Sequence, residues 1–255
     1  MVDPRTTRWL HYPFPRPDAQ LRLVCLPHAG GGTAVFRNWA AELPPELELV
    51  AVRLPGRESR LAEPAHQDWA ALLAELHAEL VGHVEPPYAL FGHSFGAMLS
   101  YELALLGGPD GVAPRRLVLA GCAAPGLPRP TPPLAGLPAE ELVSGLRRYG
   151  ALPDEVVNSQ SLLGLLLPMV RADLALAESW SARPARPVAV PLTVLSGLAD
   201  PIAPAAQCQQ WQQLALAGFE HHPMPGNHFF LHEQRAAVLA LLAAGLAEHG
   251  AGRGR

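Results

Sequence analysis

Short apolar runs alternate along the chain with segments whose apolar residues recur every three to four positions. The runs cover residues 21–26, 47–53, 88–91, 116–120, 192–195 and 219–224. Short, largely apolar runs of this length are the pattern of strands covered on both faces. The clearest helical segment follows Asp68, a residue suited to an N-cap, and places Trp69, Leu72, Leu73, Leu76 and Leu80 on one face. Further helices are predicted over 36–43, 95–106, 204–214 and 229–249, with Pro204 in a first turn where its missing N–H costs nothing. Strand and helix in alternation predict an α/β protein with a mostly parallel sheet flanked by helices.

The alternation breaks between residues 126 and 190. A proline-rich stretch opens this region, helical patterns near 140–149 and 161–180 fill it, and a second proline cluster closes it. A helical insertion between strands predicts a lid over a site, since long insertions are usually functional. The expected division is therefore a core over 1–125 and 191–249, a lid over 126–190, and a disordered tail over 250–255.

Composition narrows the chemistry. All 19 basic residues are arginine, which excludes a P-loop lysine, a Schiff-base lysine and a serine–lysine dyad. A net charge of -4 gives no electrostatic case for nucleic acid or an anionic membrane. Cys25, Cys122 and Cys208 are widely spaced and form no CxxC pair, so reduced, buried thiols and a cytoplasmic location are expected. The N-terminal residues carry no apolar core of signal-peptide type. The apolar stretch 162–170 is short and contains Pro168, so no membrane span is expected.

Residues 92–96 read Gly92-His93-Ser94-Phe95-Gly96 between a predicted strand and a predicted helix. A sharp strand-to-helix turn strains the serine, flanking glycines remove the clash, and the helix N-terminus favours negative charge. Ser94 is therefore the candidate nucleophile. In this α/β-hydrolase arrangement the acid and then the histidine follow the serine. Asp200, in the turn after the 192–195 strand, is the candidate acid, with Glu220 second. His228, in the loop after the last strand, is the candidate base. His228 and His232 are four apart, as in a helical zinc pair, but no glutamate follows the first and no third ligand is apparent. No metal or cofactor is expected.

An oxyanion hole needs two preorganised N–H donors. Phe95, after the nucleophile, and Ala29, in the glycine-rich loop 27–32, are the candidates. That loop has neither a G-K-[ST] nor a G-x-G-x-x-G spacing, which argues against a phosphate cradle.

Four segments together resemble the type II thioesterases, free-standing editing enzymes of polyketide and nonribosomal peptide synthesis. They are Leu26-Pro27-His28-Ala29-Gly30-Gly31, Leu54-Pro55-Gly56-Arg57, Phe91 to Ala97, and Gly226-Asn227-His228-Phe229-Phe230-Leu231. In the insertion, Leu166-Leu167-Pro168 and Arg171-Ala172-Asp173 are similar to the family's lid helix. Asn227 departs from the pattern, and Gly150-Ala151 stands where paired glycines are expected. The resemblance implies hydrolysis of acyl thioesters on the phosphopantetheine arm of an acyl or peptidyl carrier protein. It further implies a substrate pocket that His28, Gly30, His93, Leu165, Leu166 and Met169 would line, with the last three equally open to a place in the lid's own core. Arg57 and Arg171 are each open to either a carrier phosphate or a structural ion pair, with the ion pair favoured. A carboxylester hydrolase of the same fold, a cyclising terminal thioesterase and a non-catalytic binding protein remain the alternatives.

Overall fold

A computed structural model describes residues 3–107, 111–152 and 154–247. The tail expected over 250–255 lies outside them. Seven strands form one sheet: β1 (Leu10–His11), β2 (Leu21–Leu26), β3 (Leu47–Val52), β4 (Tyr88–His93), β5 (Leu117–Ala120), β6 (Leu192–Gly197) and β7 (Phe219–Met224). The order is β1-β3-β2-β4-β5-β6-β7, with β1 antiparallel to β3 and every other pairing parallel. The fold is the expected α/β class.

Period-two alternation sends apolar side chains to both faces of this sheet. Leu23, Cys25, Ala89, Phe91 and Val118 join one cluster, built against α1 (Arg37–Glu42) and α8 (Arg235–Ala247). Val24, Leu26, Leu90, Leu117, Leu119 and Val194 join the other, built against α2 (Trp69–His83) and α3 (Phe95–Leu106). Burial on both faces is why these strands read as continuous apolar runs. The edge strand β7 is less buried and tolerates Pro223.

The segment between β5 and β6 carries α4 (Ala139–Arg148), α5 (Asp154–Val157) and α6 (Gln160–Ser179). Leu142, Leu146, Met169 and Val170 form a small core of their own. The far end of α6 belongs to the main core instead, through Leu176, Ala177 and the following Trp180. The 23-residue stretch Gln160–Ala182 is long and apolar enough, by length and composition alone, to cross a membrane. Here it buries Met169, Val170, Ala172, Leu176 and Ala177. It runs through Pro168 because Pro168 and Gly164, one turn earlier, both face solvent, where water can satisfy the orphaned carbonyl.

Three helix boundaries differ from expectation. Pro204 is an N-cap of extended backbone before α7 (Ala205–Gln209), which tightens into a 3-10 turn over Gln210–Leu214. The last helix starts at Arg235, because residues 228–234 form turns that hold His228. The first begins with a 3-10 turn, Thr33–Phe36, ahead of α1.

Candidate active site

Ser94 sits between β4 and α3 with φ 55 and ψ -114, a conformation L residues avoid. The surrounding backbone enforces it. The Ser94 amide donates to the Ala120 carbonyl at 2.8 Å. A Cβ at Gly92 would lie 2.1 Å from the Gly96 carbonyl oxygen, and one at Gly96 would lie 2.1 Å from the Leu26 carbonyl oxygen. Both glycines are therefore required for the elbow to close against β2.

His228 Nε2 lies 2.9 Å from Ser94 Oγ, and Nδ1 lies 2.8 Å from Asp200 Oδ2. The carboxylate can only accept, so Nδ1 carries the proton and Nε2 is left to accept from the serine hydroxyl. Asp200 Oδ1 accepts from the amides of Ile202 and Ala203 at 2.8 and 3.0 Å. Burial pushes the Asp200 carboxyl up, but the His228 bond and charge and the two amides outweigh it and hold it below its ordinary value. The loop bearing His228 is tied to the end of β6: the Ala199 amide donates to the Gly226 carbonyl, and a Cβ at Gly197 would lie 2.4 Å from the Asn227 carbonyl oxygen. Asn227 accepts the Phe229 amide at 2.8 Å through its side chain, which gives this departure from the family pattern a turn-capping role.

The second-choice acid is elsewhere: Glu220 pairs with Arg116 at 2.9 Å and with His222. His221 is held between Ser196 and Gln209 on β7.

His93 is 1% exposed, and its Nε2 donates to the His228 carbonyl at 2.8 Å. Burial, with the neighbouring His228 and His28, lowers its pKa well below the ordinary histidine value. His28 donates through Nδ1 to the Ala29 carbonyl at 2.9 Å and packs edge-on against His93 and Phe229. Burial is the main reason its pKa falls to about 4. Both rings are neutral at pH 7. Among the described residues, neither the Ala29 nor the Phe95 amide has an acceptor within the protein.

A cavity of about 60 Å³ opens on Ser94. Its wall is the loop after β5, from Gly121 to Thr131, with Met98, Trp180, Ile202 and Gln207 completing it. None of the six residues expected to line a substrate pocket borders this cavity. Leu165 is 48% exposed on the outer face of α6. Leu166 and Met169 pack into the small core of the insertion. Gly30 gives its amide to Asp173 on α6. His28 and His93 support the loops behind Ser94. The cavity wall begins with Cys122-Ala123-Ala124, which directly follow the strand beside the elbow strand.

Nor are the two arginines free for a carrier phosphate. Arg57 is 3% exposed and pairs with Asp173 at 2.9 Å. Arg171 donates to the carbonyls of Ala135 and Leu137. Gly150, at φ +73, closes α4 in the left-handed conformation, which accounts for the first residue of the Gly150-Ala151 pair.

Residues 21–245 match the family model of the thioesterase domain. The chain belongs to the thioesterase domain family. A Brevibacillus parabrevis protein, the linear gramicidin dehydrogenase LgrE, is 35% identical over 244 residues, which cover 94% of this chain and 93% of LgrE. The redox name belongs to that protein; this chain's glycine-rich loop has no dinucleotide spacing and borders the Ser94 elbow. Thioesterase PikA5 of Streptomyces venezuelae is 34% identical, covering 89% of this chain and 81% of its own. Among solved structures, the type II thioesterase BorB of the borrelidin biosynthetic cluster superposes with a TM-score of 0.86 at 33% identity, covering 94% of this chain and 98% of BorB. For this thioesterase-family chain, a thioester hydrolase activity follows from family and relatives together.

Proposed function

We propose that this thioesterase uses Ser94, His228 and Asp200 to hydrolyse acyl groups from the phosphopantetheine thiol of a carrier protein, through an acyl-serine intermediate. The hydrogen-bonded line from Asp200 through His228 to Ser94, buried at the end of a strained elbow, carries this reading. His228 Nε2 takes the serine proton as Oγ attacks the thioester carbonyl, and Asp200 stabilises the imidazolium. The Ala29 and Phe95 amides receive the oxyanion. The oxyanion then re-forms the carbonyl as the C–S bond breaks, the thiolate leaves with that bond's electron pair, a thiol of pKa about 8.5 being a good leaving group, and the imidazolium supplies its proton. Water, deprotonated by His228, attacks the acyl-serine, and the acid departs as Ser94 regains its proton.

The insertion over residues 126–190 acts in this reading as the lid. Its proline-rich opening walls the cavity beside Ser94. A carrier protein is the expected partner, since PikA5 and BorB are named as thioesterases, BorB from a biosynthetic cluster. Three free, buried cysteines fit a cytoplasmic enzyme of this kind.

The test is a comparison of acetyl-loaded carrier protein with p-nitrophenyl butyrate, each with wild type and Ser94→Ala. Preferential cleavage of the carrier thioester, reduced by at least about 10³-fold in Ser94→Ala, is expected. Cleavage of the simple ester alone would convert the assignment to a carboxylester hydrolase. No cleavage, with no fluorophosphonate labelling of Ser94, would leave a binding protein.

A further inference from the structure

Asp173 lies on α6, inside the insertion, yet its contacts are with loops of the core. It is 3% exposed. Oδ2 accepts the Gly30 amide at 2.8 Å, and Oδ1 accepts from Arg57 Nη2 at 2.9 Å. Arg57 in turn donates through Nη1 to the Gly31 carbonyl at 2.8 Å. Gly30 has φ +77, and a Cβ there would lie 2.9 Å from Val170 Cγ2, so α6 rests directly on this residue.

The Ala29–Gly30 peptide is consequently held at both of its polar groups. Its carbonyl accepts from His28 Nδ1 at 2.9 Å, and its N–H goes to Asp173. The next residues are fixed from the other flank, where Glu58 accepts from Thr33 Oγ1 at 2.8 Å and from the Ala34 amide at 3.3 Å. Stability is a poor reason for a buried ion pair, because well-packed apolar side chains often serve as well. What this pair does that apolar residues cannot is orient one peptide plane, and that plane adjoins the Ala29 amide.

We infer that Asp173 is a positioning residue for the oxyanion donor Ala29, holding the Ala29–Gly30 peptide from the insertion with Arg57 as its counter-charge. The inference rests on the reading that Ala29 is a donor to the oxyanion. A donor displaced by about 1 Å costs on the order of 10²-fold in rate. Asp173 bonds to Gly30 and Arg57 and not to His228, so it acts on the turnover step through the loop and leaves the base alone.

Four proteins test this: wild type, Asp173→Ala, Asp173→Asn and the charge-free pair Arg57→Met with Asp173→Leu. The pair leaves no unpaired buried charge, and so covers the case in which Asp173→Ala does not fold. Turnover of acetyl-loaded carrier is measured per Ser94 labelled to completion by a fluorophosphonate, alongside hydrogen–deuterium exchange of residues 28–32. Asp173→Ala and the pair are expected to lose about 10- to 100-fold in kcat. Their KM should stay within about twofold and the pH profile of kcat/KM should not move, because the base is untouched. Exchange over 28–32 should quicken. Asp173→Asn, which keeps an acceptor for the Gly30 amide, should recover part of the loss. A kcat within about twofold of wild type in the Ala or paired variant overturns the inference, as does a moved pH profile or unchanged exchange. An inert wild type overturns the functional reading instead, and the exchange measurement then decides the clamp by itself.

Discussion

At the scale of single residues, the proposed triad is a line of hydrogen bonds from Asp200 through His228 to Ser94. Asp200 already accepts two backbone amides, so its second oxygen faces His228 and fixes the tautomer. Asp200→Asn would present an amide N–H or a weaker acceptor to Nδ1 and favour the wrong tautomer. Hydrolysis is expected to fall by about 10³- to 10⁴-fold with the protein still folded, as checked by kcat and circular dichroism. An undiminished kcat would remove Asp200 from the chemistry. The meeting of these three side chains was legible in the sequence because each has its own backbone context: a glycine-flanked elbow, a turn after a strand, a loop after the last strand. The pocket was not legible, because its wall depends on which loop folds over the elbow. Leu165, Leu166 and Met169 have the apolar character of pocket residues, but α6 turns them to solvent or into the core of the insertion.

At the scale of elements, strong periodicity and a good cap were enough where they coincided. In α2, Asp68 accepts the Ala71 amide at 2.8 Å, and Trp69, Leu72, Leu73, Leu76 and Leu80 are buried as the spacing predicted. Asp68→Ala should cost about 1 kcal/mol, an amount that urea unfolding resolves, with no change in kcat because the cap lies on the outer rim of the fold. Equal stability would mean that water satisfies the Ala71 amide as well as the carboxylate does. Boundaries were lost where tertiary demands override local pattern. Residues 229–234 have the composition of a helix, but the turns that present His228 occupy them. β1 is two residues long, too short to carry a period, and is held by its pairing with Val52 and Ala51. Pro168 reads as a helix breaker, yet α6 continues because the affected turn faces solvent.

At the scale of the whole molecule, two neutral histidines packed edge-on behind Ser94 are expected to make the fold sensitive to acid. Burial lowers His28 to about 4 and His93 well below its ordinary value, whereas in the unfolded chain both protonate near about 6.5. The unfolded state therefore takes up more protons as the pH drops below about 6.5. The stability these rings contribute is present in full above that pH and is lost as the pH falls toward 4. Asp200, with its carboxyl held below 3.8, adds a loss of the same sign only at still lower pH. The urea midpoint should drop between pH 7.5 and pH 5, and His93→Gln, which can still donate to the His228 carbonyl, should show a smaller drop. An equal drop in the variant would place the acid sensitivity elsewhere.

The inner face of α6 bears Met169, Val170 and Asp173, which meet Gly56, Gly30 and Arg57 in two different loops of the core. Descent with modification is therefore unequal around this one helix. Its outer face, where Leu162 and Leu165 stand in solvent, meets no such demand from the core loops. Its inner face can change only in step with loops more than a hundred residues away in the chain. Recombination that imports an insertion from a cousin enzyme without its matching loops would deliver a new pocket wall together with a misfitted hinge to the chemistry, and selection would meet the two as a single trait.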